Sequence, residues 1–179
     1  FTRAGFTVAS YPYYDPATRS VNFAGMLDAL KAAEAGTIVI LHACCHNPTG
    51  YDLTPQQWTQ VRDVVVERGL VPLLDMAYQG FATSIAEDGT AVREFAAAGI
   101  PVFVTTSFSK TFSLYGERVG ALSVVCADAD EAQRVLSQLK ILVRTNYSNP
   151  PTHGAQIISQ VLGDEELRAL WESELGAMR

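Results

Sequence analysis

The sequence has 179 residues, 48% of them hydrophobic and 18% charged, with a formal net charge of −6 at pH 7. That length carries one domain with a sizeable core, and the composition excludes a disordered chain. The negative balance argues against nucleic acid as a partner, and no apolar run reaches the roughly 20 residues of a membrane span.

In chain order, "GFTVASY" (5–11) reads as a strand, and "NFAGMLDALKAAEAG" (22–36) as an amphipathic helix ended by Gly36. "TIVILHACC" (37–45) is a continuous apolar run of the kind found in buried parallel strands. In "LTPQQWTQVRDVVVERG" (53–69), Thr54 is placed to cap a helix, Pro55 occupies its first position and Gln57 completes a capping box. Trp58, Val61, Val64 and Val65 line one face of that helix, and Gly69 ends it.

"LVPLLD" (70–75) is the next predicted strand, followed by a short helix near 90–98 and a strand at "IPVFVTTS" (100–107). "VGALSVVCA" (119–127) reads as a further strand, "ADEAQRVLSQLKILVR" (129–144) as a long helix broken from Asn146, and helices fill the rest. No internal repeat or linker interrupts the chain. Alternating strands and helices predict an α/β fold, a mainly parallel sheet flanked by helices on both faces.

Cys44, Cys45 and Cys126 are the three cysteines. Two adjacent cysteines make a poor disulfide framework, and no C-x-x-C pair suggests zinc. The expectation is buried free thiols, no metal and a reducing compartment, the cytoplasm.

Ligands of parallel sheets bind beyond the carboxyl ends of the strands. Asp75, Ser107 and His46-Asn47 all fall at or just past the ends of predicted strands, and Lys110 follows Ser107 closely in "TTSFSKTFSLYGERVG" (105–120). A P-loop is excluded, because "FSKT" lacks the glycines that let backbone wrap a phosphate. The other use of such a lysine is covalent, attack of a neutral amine on a carbonyl. An ordinary lysine amine titrates near 10.4, so this chemistry needs desolvation or a neighbouring cation, and Arg118 is at hand. Pyridoxal phosphate needs a lysine for its imine and a carboxylate for its pyridine nitrogen. Asp75 is the candidate carboxylate. Tyr78 and Asn47 are candidate donors to the ring's phenolic oxygen, and Arg118 and Ser107 candidate phosphate ligands. Taken singly, each has a plain structural alternative: a turn at "HNPTG", a core tyrosine, a surface ion pair at Arg118.

"HNPTG", "DMAYQGF" and "SFSKTFSLYGERVG", with "YPYYDPAT", "HACCHNPTG" and "RTNYSNPPTHGA", together resemble the class I aminotransferases of the fold-type I pyridoxal-phosphate enzymes. Similarity is nearest to the aspartate and aromatic-amino-acid branch and runs over the whole chain. The resemblance implies that residues 1–179 are part of the large cofactor-binding domain, with an N-terminal arm and a C-terminal small domain outside this chain. It implies Lys110 as the imine lysine and proton shuttle, Asp75 at the pyridinium nitrogen, and Tyr78 and Asn47 at the phenolic oxygen. Ser107 and Arg118 would hold the phosphate, and Arg144 would pair with a dicarboxylate substrate across a two-fold interface. His42 and His46 are expected to pack behind the site. A homodimer with shared active sites, exchanging an amino group between an amino acid and a 2-oxo acid, follows from the same resemblance. A lyase on the same scaffold and a non-catalytic paralogue are the alternatives. Arg144 opposes the first, and the intact set of Lys110, Asp75 and Arg118 opposes the second.

Overall fold

The computed structural model describes residues 1–179. A two-strand hairpin, β1 (Tyr14–Asp15) and β2 (Ser20–Val21), precedes helix α1 (Phe23–Ala32). The main sheet has four strands in the order β3 (Ile38–His42), β4 (Val71–Met76), β5 (Val102–Ser107) and β6 (Gly120–Val125). β3, β4 and β5 are mutually parallel, and β6 pairs antiparallel to β5. Helix α2 (Pro55–Arg68) connects β3 to β4, and α3 (Ile85–Asp88) with α4 (Thr90–Ala97) connects β4 to β5. Three helices follow the sheet: α5 (Ala129–Asn146), α6 (His153–Gly163) and α7 (Glu165–Met178). No helix is long and apolar enough to cross a membrane.

The stretch 5–11 is not a strand. Gly5 closes a single helical turn at Thr2–Ala4, and residues 5–10 are exposed, with no neighbouring strand to take their backbone hydrogen bonds. Alternating side chains favour an extended chain, but a ladder partner is what makes it a strand.

Parallel crossovers are right-handed, so adding β4 and then β5 in one direction puts α2 and α4 on the same face of the sheet. These helices do pack together, with Trp58 edge-on to Phe95 at a centroid distance of 6.2 Å. Burial alternates along β3 and β4, and Val39, Leu41, Leu74, Met76, Val102 and Val104 point into this one core. Met26 and Leu30 of α1 and Val61, Val64 and Val65 of α2 close it. Residues at the alternate positions, His42, Asp75 and Thr105 among them, are therefore carried away from that core and only half-buried.

The start of α2 is fixed locally. Thr54 Oγ1 accepts from Gln57 N at 3.2 Å, and Gln57 Oε1 accepts from Thr54 N at 2.8 Å, which satisfies two otherwise orphaned amides. The helix ends at Gly69, whose φ of 62° is the left-handed conformation that glycine adopts without a Cβ clash. Thr54→Ala should therefore cost about 1 kcal/mol of stability. Equilibrium unfolding of the full-length apo protein should show a lower midpoint, and an unchanged midpoint would mean the cap contributes nothing.

Candidate active site

The register of the sheet sets three polar residues side by side. His42 of β3 lies opposite Asp75 of β4, and Asp75 opposite Thr105 of β5. All three stand at the carboxyl ends of parallel strands, on the face turned away from the core. Thr105 Oγ1 donates to Asp75 Oδ1 at 2.7 Å, a short bond to a charged acceptor. The second carboxylate oxygen accepts nothing from the chain.

Lys110 follows β5 on a loop that leaves at Ser107 and returns at Gly120. Phe108 N donates to Val119 O at 3.2 Å, closing the base of the loop. Gly120 is required there, since a Cβ would stand 2.8 Å from the Thr106 carbonyl oxygen. Ser109 and Thr111, on either side of Lys110, are buried, and Trp171 Nε1 of α7 donates to Thr111 O at 2.7 Å. The lysine is thus held by its neighbours. Its Nζ lies 5.0 Å from the centroid of the Tyr78 ring, within cation–π range.

Arg118 stands on the same loop with φ of 52°, and its Nη1 donates to Tyr115 O at 3.0 Å. Its flanks are clamped by α6. Glu117 pairs with His153 Nδ1 at 2.9 Å, and a Cβ on Gly154 would meet Glu117 and Val119 side-chain atoms at 2.9–3.2 Å. Ser107 Oγ accepts from Ser109 N at 3.3 Å. A cavity of about 150 Å³ borders Ser107, Gln79, Phe112 and Trp171. It includes neither Asp75 nor Lys110, and it is below the roughly 300 Å³ at which ligand pockets begin.

Asn47 lies on the loop after β3, ahead of a cis peptide to Pro48. Its backbone N–H donates to His42 Nδ1 at 3.2 Å, so that ring nitrogen acts as an acceptor. His46 stacks on Tyr13 at 3.7 Å, and its Nδ1 meets the Thr49 hydroxyl at 2.8 Å. Burial and the nearby His42 lower the His46 pKa, favouring the neutral ring. Arg144, at the end of α5, is exposed and donates to the Ser148 hydroxyl. It has no hydrogen bond or ion pair to the group at the strand ends.

Three carboxylate or hydroxyl groups were missed in reading the sequence. Thr105 holds Asp75, and although alternation along β5 turns it away from the core, only the strand register sets it opposite Asp75. Asp88 is buried and accepts from four backbone amides, those of Gly80, Ala82, Thr83 and Ser84, at 2.7–3.4 Å. It shapes the turn that follows Tyr78. Asp52 accepts from the amides of Cys45 and His46, each at 2.7 Å. Neither aspartate has a sequence signal, since their partners are backbone groups brought in by the fold.

The three cysteines are free, as expected, but only Cys44 is buried, and Cys45 and Cys126 are partly exposed. Sulfur atoms of Cys44 and Cys45 lie within 4.8 Å of an Asp88 oxygen. Both Asp88 oxygens are already committed to amides, so this cluster offers a metal no open carboxylate. Burial, then the charges nearby, raises both thiol pKa values, that of Cys45 to about 11.

The family described as aminotransferase class I and II matches residues 1–179. The chain belongs to this family. It is 62% identical over its whole length to an aspartate aminotransferase of Pseudomonas aeruginosa, and 55% identical to an aromatic-amino-acid aminotransferase of Escherichia coli. In each case it spans 45% of the relative. A crystal structure of an aromatic-amino-acid aminotransferase from Burkholderia pseudomallei, described as covalently bound to pyridoxal phosphate, is 65% identical and superposes with a TM-score of 0.98. That match covers 99% of this chain and 45% of the other.

The residues at the strand ends and on the loops that follow them offer donors that fit pyridoxal phosphate. A lysine amine can bind an aldehyde, and a carboxylate with one open oxygen can face a protonated ring nitrogen. Tyrosine and asparagine can donate to a phenolate, and serine and arginine can hold a phosphate. Thr105→Val in the full-length enzyme should weaken pyridoxal phosphate binding roughly 10-fold, the scale of one hydrogen bond to a charged group. Fluorescence titration of the apoenzyme measures this, and unchanged affinity would make the Thr105 bond to Asp75 irrelevant to the cofactor.

Proposed function

We propose that this chain is part of the large, cofactor-gripping domain of a transaminase acting on aspartate or glutamate and on aromatic amino acids. The observation that carries this reading is the Asp75 carboxylate, held by Thr105 at the end of the middle parallel strand, with the Lys110 amine over the ring of Tyr78, three residues after Asp75. Pyridoxal phosphate, when bound, supplies an aldehyde and a ring that accepts the electrons of a carbanion.

The chain's own residues divide the work. Lys110 Nζ would hold the cofactor covalently, and its amine would serve as the group that moves a proton at the substrate α-carbon. Asp75 keeps a proton on the ring nitrogen by charge, which is what makes the ring an electron sink. The Tyr78 hydroxyl and the Asn47 amide donate to the phenolic oxygen. The Arg118 guanidinium and the Ser107 hydroxyl, on the loop they share with Lys110, would hold the phosphate.

Aspartate and aromatic relatives are similarly close, at 62% and 65% identity, which supports a substrate range covering both classes. Arg144 is the residue we assign to dicarboxylates, reaching a site in the second subunit of a homodimer. Its exposure and its position at the end of α5 suit a group that serves a partner rather than its own chain. A cytoplasmic location fits the free thiols.

Lys110→Ala in the full-length enzyme should lower turnover by at least about 10⁴-fold, the scale of losing a covalent catalyst, and remove the visible band of the imine that Lys110 forms. Cofactor should still bind through its phosphate. Turnover near the wild-type rate would refute the role of Lys110.

Arg144→Ala should lower kcat/KM for aspartate or glutamate by roughly 10- to 1,000-fold, at 1.4 kcal/mol per decade for a charged, bidentate pair. Phenylalanine and tyrosine, with no carboxylate to pair, should lose much less. If Arg144 serves only the negative end of its helix, the two substrate types should fall together and slightly. A parallel fall would remove it from the site.

A further inference from the structure

Within the loop between β3 and α2, Asp52 has an unusual set of partners. Its Oδ2 accepts from Cys45 N and its Oδ1 from His46 N, both at 2.7 Å. These two amides are successive, and they immediately precede Asn47. Cys45 has φ of 50°, a left-handed conformation that a side-chain-bearing residue seldom adopts. A left-handed residue in such a run turns successive amides toward one point, the backbone concavity that binds anions. Here the chain supplies its own anion.

The rest of the loop closes around this contact. Gly50 N donates to His46 O at 2.7 Å, and Asn47 N to His42 Nδ1 at 3.2 Å. Tyr13, stacked on His46, donates its hydroxyl to Tyr51 O at 2.7 Å, beside Asp52. Asp52 itself is exposed, and both its carboxylate oxygens are taken up by these two amides. Its carboxylate joins the end of the loop to the two peptide units that orient Asn47.

We propose that Asp52 is a positioning residue for the reaction, acting through Asn47 by fixing the backbone from which the Asn47 amide reaches the cofactor's phenolic oxygen. This rests on the functional reading above, in which Asn47 is one of two donors to that oxygen. A donor there stabilises the oxygen's anionic form. When Asn47 swings away, the oxygen shares more strongly in the neighbouring nitrogen's proton, and the pH midpoint of the bound cofactor's visible band moves upward. Asp52 therefore sets a spectroscopic property from a distance, which a residue that only stabilises the fold does not do.

The experiment uses the full-length holoenzyme as wild type, Asn47→Ala, Asp52→Ala, Asp52→Asn and the Asn47→Ala/Asp52→Ala double variant. The midpoint of the visible band is titrated in each, and hydrogen exchange at 45–47 is followed in the apo form. Asn47→Ala and Asp52→Ala should each raise the midpoint by about one pH unit, and the double variant should go no further than either alone. Asp52→Asn, which keeps one acceptor oxygen, should fall between wild type and Asp52→Ala and serves as the test should the alanine variant fail to fold. Exchange at the Cys45 and His46 amides should speed up in Asp52→Ala without cofactor present. An unchanged midpoint, or shifts that add in the double variant, would overturn the assignment of Asp52. If wild type itself formed no visible band through Lys110, the functional reading would fail first, and the two failures are separable.

Discussion

Three parallel strands must stop in register for anything at this site to work. His42, Asp75 and Thr105 come from β3, β4 and β5, and only the pairing of those strands makes them neighbours. Side chains alternate along a strand, so a slip of one residue in β4 would turn Asp75 into the core and bring an apolar neighbour out to the rim. The core protects against that slip. Leu74 and Met76 flank Asp75 and are buried almost completely, and exposing both would cost about 3–6 kcal/mol by area. The hydrophobic packing of one face thus determines the chemistry of the other.

Loops then complete what the strands begin, and they do so with charge. A loop near a binding site cannot be packed like a core, because its backbone amides need partners. Asp88 satisfies four amides after Tyr78, and Asp52 satisfies two before Asn47. Bonds to an ionised acceptor are about twice as strong as neutral ones. Each carboxylate fixes a stretch of irregular chain that carries a side chain assigned to the same ring oxygen. Arg118 is steadied differently, by the close approach of Gly154 and the Glu117–His153 pair.

Local signals place several elements reliably. The Thr54-Pro55-Gln57 cap, the helix face of Trp58, Val61, Val64 and Val65, and the apolar runs of β3, β4 and β5 all depend on residues near one another in the chain. The family resemblance was equally legible, because "HNPTG", "DMAYQGF" and "SFSKTFSLYGERVG" are contiguous. What escaped depends on distant partners. The stretch 5–11 has strand-like composition but no strand beside it, and the antiparallel sense of β6 is set by the loop that carries Lys110 back along β5. Thr105, Asp52 and Asp88 take their importance from groups that only the folded chain places within reach.

The separation of these partners along the chain also bears on the order in which the protein folds. Asp75 and Thr105 are 30 residues apart, Trp171 and the Thr111 carbonyl 60, and Arg179 and the Gly80 carbonyl 99. Closing such loops spends chain entropy before any contact returns it, which makes non-local topologies slow to form. The helices and the cap of α2 can assemble early from local contacts, whereas the polar row at the strand ends exists only after the last parallel pair has closed. A ligand that grips this row therefore meets its full set of contacts only in chains whose sheet is complete, and its capture is a late checkpoint on folding.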